Sequence, residues 1–360
     1  MNQWESATSA VRAPLVAVDL DAFDANADDL VRRAGGLPIR VASKSVRCRH
    51  LLDRVLARPG FAGVMAYAVP EAVWLVGAGV RDVFVAYPSV DVDALRAVAT
   101  DDLLRAEVTV TIDSVEHVRW LRETLGGDVR GLGVALDVDA SFRVGRLHLG
   151  VRRSPTRTSE QALAVVRAAL GVGLEVRGVM TYDAQVAGLP DAGLHLRALK
   201  RRSLPELATR RQAIVDVLRT ETDLRFVNAG GTGSLHRFAG DPVVTELAAG
   251  SGLYAPTLFD AYDDFSPRPA MAFALPVVRR PAAKYVTAFG GGYVASGEPG
   301  WARVPGPVRR GLALLRTEAA GEVEGPVHGE DADGLAVGDR VWMRGAKEGK
   351  LLERFDTVHL

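Results

Sequence analysis

From residue 15 to about residue 250, short apolar runs rich in β-branched residues alternate with Gly, Pro and Asp punctuation. Longer stretches with apolar positions three and four apart lie between them. The runs are Leu15–Asp19, Ile39–Ser43, Gly63–Ala66, Asp82–Ala86, Val108–Ile112, Gly131–Leu136, Arg177–Met180 and Arg225–Val227. Helices are predicted over Ala22–Arg33 with Asp21 as cap, Pro70–Gly77, Ser114–Thr124 with Ser114 as cap, Ser159–Leu170 and Ser203–Arg219. Strands alternating with helices in this rhythm are βα units. Eight runs predict an α/β fold, a (β/α)8 TIM-type barrel whose chemistry gathers where the strands' C-terminal ends meet their loops.

Past residue 265 the helical period fades. Pro267, Pro269, Pro276 and Pro281 punctuate short Val-rich runs, and strands are predicted at Val277–Arg280, Tyr285–Ala288, Leu312–Glu318 and Arg340–Met343. The expected organisation is therefore a barrel over residues 13–264 and a C-terminal β domain over 265–360, joined by residues 1–12.

Composition narrows the function. The 360 residues are 48% hydrophobic, enough for one large α/β domain and a smaller companion. Lys and Arg total 44 against 44 Asp and Glu, so nothing resembles a basic stripe for nucleic acid. The single cysteine, Cys48, fits a reducing compartment, and no apolar run is long enough to span a membrane. The expectation is a cytoplasmic protein with neither nucleic acid nor membrane as partner.

Lys44 follows the run Ile39–Ser43, so its amine is expected at the barrel mouth. Most lysines are solvated surface charges, but burial at such a place lowers a lysine's pKa into a useful range. Asn228-Ala229-Gly230-Gly231-Thr232-Gly233-Ser234 follows another strand. Its glycines let backbone N–H groups converge on an anion such as phosphate, and Thr232 and Ser234 add hydroxyls. The spacing is neither a dinucleotide fingerprint nor a Walker loop. A second small-residue turn, Ala249-Gly250-Ser251-Gly252-Leu253-Tyr254, falls where barrels of this kind often bind phosphate, after the last strands.

Two further strand ends carry polar groups. Asp137-Val138-Asp139-Ala140-Ser141-Phe142-Arg143 reads either as a solvated Asp–Arg loop or as a place where Arg143 orients a cofactor oxygen. In Tyr182-Asp183-Ala184-Gln185, Tyr182 is either a core aromatic or a cofactor neighbour, and Asp183 and Gln185 are at the height of a substrate.

On these stretches, together with Val16-Ala17-Val18-Asp19, Ile39 to Arg47, Leu147 to Pro155 and Phe289-Gly290-Gly291-Gly292-Tyr293, the chain resembles fold-type III pyridoxal 5′-phosphate (PLP) enzymes. The branch is that of D-threonine aldolase and D-serine dehydratase within the alanine racemase superfamily. The resemblance implies that Lys44 holds the cofactor covalently, that Arg143 and Tyr182 face it, and that Gly231, Thr232, Gly233, Ser234, Ser251, Gly252 and Tyr254 bind its phosphate. It also implies a homodimer with a shared active site, and a small amino acid substrate at Asp183 and Gln185. The implied activity is a lyase acting on a D-3-hydroxy amino acid. An amino acid racemase, with Tyr285 or Tyr293 as second base, and a non-catalytic PLP-binding protein are the alternatives.

The resemblance departs at a divalent metal site. A His-x-Cys or His-x-Asp pair is expected near Arg344-Gly345-Ala346-Lys347-Glu348, and no histidine stands there; His328-Gly329 alone matches a family His-Gly.

Overall fold

The computed structural model describes residues 3–189, 191, 193–297 and 299–360. Strands are numbered in chain order. The first eleven are β1 (Leu15–Val18), β2 (Ile39–Ala42), β3 (Phe61–Ala66), β4 (Val83–Val85), β5 (Val108–Ile112), β6 (Gly133–Asp137), β7 (Phe142–Val144), β8 (Leu147–Leu149), β9 (Glu175–Thr181), β10 (Phe226–Ala229) and β11 (Glu246–Ala249). The rest are β12 (Met271–Ala282), β13 (Tyr285–Phe289), β14 (Gly306–Pro307), β15 (Ala313–Leu314), β16 (Glu324–His328), β17 (Arg340–Arg344) and β18 (Val358–His359).

Two compact units emerge. The barrel unit comprises Leu30–Ser43 and Asp53–Gly250; the β unit comprises Met1–Asp29, Lys44–Leu52 and Ser251–Leu360. In the barrel unit eight parallel strands close in the order β10-β11-β2-β3-β4-β5-β6-β9. The expected barrel of eight is present, but its membership differs. The first apolar run, β1, pairs antiparallel with β12 and parallel with β18 in the β unit, and the eighth barrel strand is β11. Every residue of β1 and of β2 is buried. Such a run shows that both faces are covered, not which sheet covers them.

Helix boundaries follow local chemistry. Asp19, not Asp21, accepts from the Ala22 amide at the start of Leu20–Ala34. Ser114 caps Val115–Leu125, as its spacing predicts, and Thr158 with Gln161 forms a capping box before Ser159–Gly171. The last barrel helix runs Leu194–Leu218, starting nine residues before the predicted Ser203. Pro205 lies within it and reads locally as a helix start.

Inside the barrel, Phe84, Ala86, Ala135, Met180 and Phe226 pack together. A charged layer crosses the same unit. Buried Arg40 on β2 gives two hydrogen bonds to Glu246 at 2.7 and 2.8 Å and two to Asp82, to its carbonyl at 2.8 Å and its carboxylate at 2.9 Å, and its guanidinium lies over the Phe226 ring. A Cβ at Gly63 would come within 2.5 Å of the Arg40 guanidinium, so glycine makes room for the layer.

The β unit carries the strand order β14-β17-β12-β13-β16-β15, with β1 joining β12. The predicted strand Leu312–Glu318 is reduced to Ala313–Leu314. Trp4 stacks on Trp342, ring centroids 6.0 Å apart, and both belong to a core with Leu15, Ala17, Ala272 and Ala274.

Candidate active site

In the barrel unit the turn after β10 is built around Gly231. Ser234 closes it, its amide donating to the Gly231 carbonyl at 2.8 Å, while the Gly231 amide donates to Ser234 Oγ at 3.2 Å. Arg33 donates to the Thr232 carbonyl at 2.7 Å. The buried Gly233 amide meets no acceptor among the described residues. A Cβ at Gly231 would come within 2.8 Å of Ala187 Cβ and 3.5 Å of Tyr182 Cε2, so the backbone is packed as closely as glycine allows. An amide without an acceptor beside bare backbone suits a phosphate oxygen.

Tyr182 directly follows β9. Burial, then the neighbouring Asp183, pushes its phenol up to about 12. Asp183 is fully buried, and neither carboxylate oxygen makes a hydrogen bond of normal geometry among the described residues. Burial raises it to about 7, against the lowering influence of the Ser234 hydroxyl, Arg211 and the Gly230 amide. It lies under the glycine turn. Gln185 is also buried; its Nε2 donates to the Ala140 carbonyl at 2.7 Å and to Ser203 Oγ at 2.8 Å. Both residues thus support the site's walls in this structure, a placement the sequence pattern did not suggest.

Beyond β6, Asp139 gathers the loop. It accepts from Ser141 Oγ at 2.8 Å and from Arg143 and Arg157 at 2.6 and 3.2 Å. Burial works against its ionisation, but these Ser141, Arg143 and Arg157 contacts hold it below the usual carboxylate range. Arg143 is therefore steered by Asp139 and Ser141, with its side chain 45% exposed. Asp137, the last residue of β6, is pushed up to about 7 by burial; Arg153 opposes that shift, and Asp113 and Asp139 add to it. Arg153 itself lies between two tyrosines, 5.4 Å from the Tyr87 ring centroid and 5.6 Å from that of Tyr182. The sequence pattern gave Arg153 and Tyr87 no role. The only signal in the sequence was an arginine pair, Arg152-Arg153, in a loop of barrel height.

In the β unit, Lys44 stands in the short helix Ser43–Val46, two residues past β2, with its side chain exposed. Its carbonyl accepts from Arg47 Nε at 2.9 Å, and Arg47 pairs with Glu353 at 2.6 Å. A Cβ at Gly349 would fall 2.2 Å from the Lys44 carbonyl oxygen, so the 345–350 turn packs against this helix. Tyr254 is buried and donates to the Val46 carbonyl at 2.6 Å, fixing the turn that presents Lys44. Burial raises its phenol well above the ordinary value. Ser251 opens the 3-10 turn Ser251–Leu253 and accepts from the Ala255 amide at 3.2 Å.

Residues 18–257 match the family described as the alanine racemase N-terminal domain. The chain belongs to that family. Within it, the chain is 24% identical over 249 residues to a 3-hydroxy-D-aspartate aldolase of Paracoccus denitrificans, covering 68% of this chain and 60% of that enzyme. It is 27% identical over 250 residues to a D-threonine aldolase of Arthrobacter, covering 67% and 60%. The matched stretch thus spans less than two thirds of these curated relatives. Among solved structures, D-threonine aldolase from Filomicrobium marinum superposes with a TM-score of 0.75 at 22% identity, over 95% of this chain and 88% of that one. D-threo-3-hydroxyaspartate dehydratase from Delftia gives 0.73 at 19%, over 94% and 92%. These likenesses show the fold: an alanine-racemase-type barrel with a β domain.

Alanine-racemase-type barrels imply PLP, and the glycine turn fits its phosphate. The segment where a metal pair was expected offers different chemistry. Arg344 pairs with Asp260 at 2.9 Å, and Lys347 is lowered by burial and by the charges of Arg303 and Lys44. Glu348 is raised to about 8 by burial, partly offset by Arg344. His328 stacks on Tyr285 across the β13–β16 pair. One protonated carboxyl among cations is a poor donor set for zinc or manganese.

Proposed function

We propose that this chain is a PLP-dependent lyase acting on a small D-3-hydroxy amino acid, by aldol cleavage or dehydration, with Lys44 as the residue that attaches the cofactor. The observation that carries the reading is the turn after β10, where the buried Gly233 amide lacks an acceptor and Gly231 leaves no room for a methyl group. Family membership supports the cofactor, and the relatives named as aldolases and a dehydratase support the reaction class.

The bound cofactor supplies an electron sink for the pair left at Cα when a bond to it breaks. The chain's own residues do the rest. Gly231, Thr232, Gly233 and Ser234 would hold the phosphate through amides and hydroxyls, with Ser251 and Gly252 as further donors. Tyr182 would wall the cofactor, and Arg143, aimed by Asp139, would be its polar partner. The Lys44 amine, when free, would serve as a base for the proton at Cα or on the β-hydroxyl. Tyr254 positions that lysine through Val46. Asp183 and Gln185 keep the substrate side of the barrel shaped.

The same reading includes a homodimer in the cytoplasm. Exposed Phe289, Val323 and Trp301 on the β unit support association, and sedimentation of the purified protein tests it. Among the described residues no helix is long and apolar enough to cross a membrane.

Absorbance of the PLP-loaded protein tests the cofactor and the lysine together. We expect a bound-cofactor band that Lys44→Ala abolishes, and from D-threonine or D-serine either aldehyde with glycine or a keto acid. Interconversion of enantiomers with neither product would replace the lyase by a racemase. A Lys44→Ala protein with the same band as the wild type would end the assignment.

A further inference from the structure

Arg153 enters over the rim of the barrel unit from the segment after the β7–β8 hairpin. Its two aromatic neighbours come from well-separated strands: Tyr87 lies two residues past β4, Tyr182 one past β9, and β5 and β6 stand between them in the barrel order. A guanidinium within 5.4 and 5.6 Å of two ring centroids is held by the rings' negative faces, which orient it without using its N–H donors. Those donors reach no acceptor among the described residues.

The neighbouring arginines contrast with it. Arg143 and Arg157 are both hydrogen-bonded to Asp139, and Arg157 also to Glu206. Asp137, buried at the end of β6, is a carboxyl that feels the charge of Arg153. Burial raises that carboxyl to about 7 against the pull of Arg153, so at neutral pH it offsets the arginine's charge only in part. The Tyr182 ring that flanks Arg153 also borders the Gly231 turn, whose added Cβ would lie 3.5 Å from Cε2. An anion at Arg153 and a phosphate at the glycine turn would therefore border one aromatic ring.

We propose that Arg153 is the carboxylate-binding residue of the substrate site, its planar fork taking two oxygens of the amino acid in a bidentate pair. The carboxylate is either the one on Cα or one on the side chain of an acidic 3-hydroxy amino acid. The inference deepens the lyase reading and rests on it for the identity of the ligand, though the anion site is separately measurable.

Three measurements test it on wild type, Arg153→Ala and Arg153→Lys. Succinate titrated calorimetrically into each protein reads the anion site whether or not cofactor is bound. Wild type is expected to bind at least tenfold more tightly than Arg153→Ala, with Arg153→Lys between, as loss of a charge-assisted pair implies. Equal binding to all three overturns the proposal. With PLP loaded, Arg153→Ala is expected to keep the cofactor band and raise KM roughly ten- to hundredfold with little change in kcat. A rise for both D-threonine and 3-hydroxy-D-aspartate assigns the Cα carboxylate; a rise for the diacid alone assigns the side chain. Unchanged KM for both overturns the proposal, whereas absence of a cofactor band in the wild type would overturn the lyase reading and leave the succinate result to stand by itself.

Discussion

Asp183 illustrates how little one polar residue reveals before its surroundings are known. In the sequence it stands at a strand end, at the height of a substrate; in the fold it is fully buried beneath the glycine turn. Its carboxyl is raised from 3.8 to about 7, so the folded state binds its proton more tightly than the unfolded chain does. The sign follows: its contribution is most favourable below pH 4 and is lost as pH rises from about 4 to about 7, with a slope of up to about 1.4 kcal/mol per pH unit. Asp183→Asn should therefore gain stability relative to wild type at pH 8 and be close to it at pH 4.5. Urea midpoints at the two pH values check this, and an equal difference at both would contradict it. The place of Lys44, two residues past β2, was legible from the apolar run before it. The place of Arg153 was not, because it is set by two tyrosines from distant strands, which sequence spacing does not record.

At the level of elements, the apolar runs located seven of the eight barrel strands, assigned β1 to the wrong sheet and left β11 out. β1 and β2 are each four buried residues, yet one lies in an antiparallel sheet and the other in the barrel. β11 was not among the predicted strands, and it opens on a charged residue, Glu246. That glutamate exists for Arg40, and Asn228 on β10 donates to it as well at 2.8 Å. Glu246→Ala would strand a guanidinium that is 2% exposed, leaving only the partly exposed Asp82 as its ionic partner. Breaking a buried pair in this way costs about 3–5 kcal/mol. The expected result is a clear fall in the thermal midpoint with the succinate affinity retained in whatever protein remains folded. A midpoint within a degree of wild type would show the layer to be energetically idle.

Across the whole molecule, the β unit is assembled from three separated stretches, whereas the sequence suggested a β domain of residues 265–360 joined only by 1–12. Its sheet needs β1 against β12, and its core needs Trp4 against Trp342. Residues 251–360 produced alone should accordingly lack a cooperative melt. The same segment fused through a flexible linker to residues 1–29 should recover one, as judged by circular dichroism and by dispersion of amide resonances. A well-dispersed spectrum from 251–360 by itself would refute the dependence.

The turn that presents Lys44 is shaped by Gly349 and tied through Arg47 to Glu353. A ribosome making this chain emits the lysine early, then must translate onward to residues 349 and 353 before the pieces that set its backbone exist. The backbone around residue 44 thus waits on the chain's last dozen residues, and a product stalled short of residue 349 would lack the contacts that shape that turn.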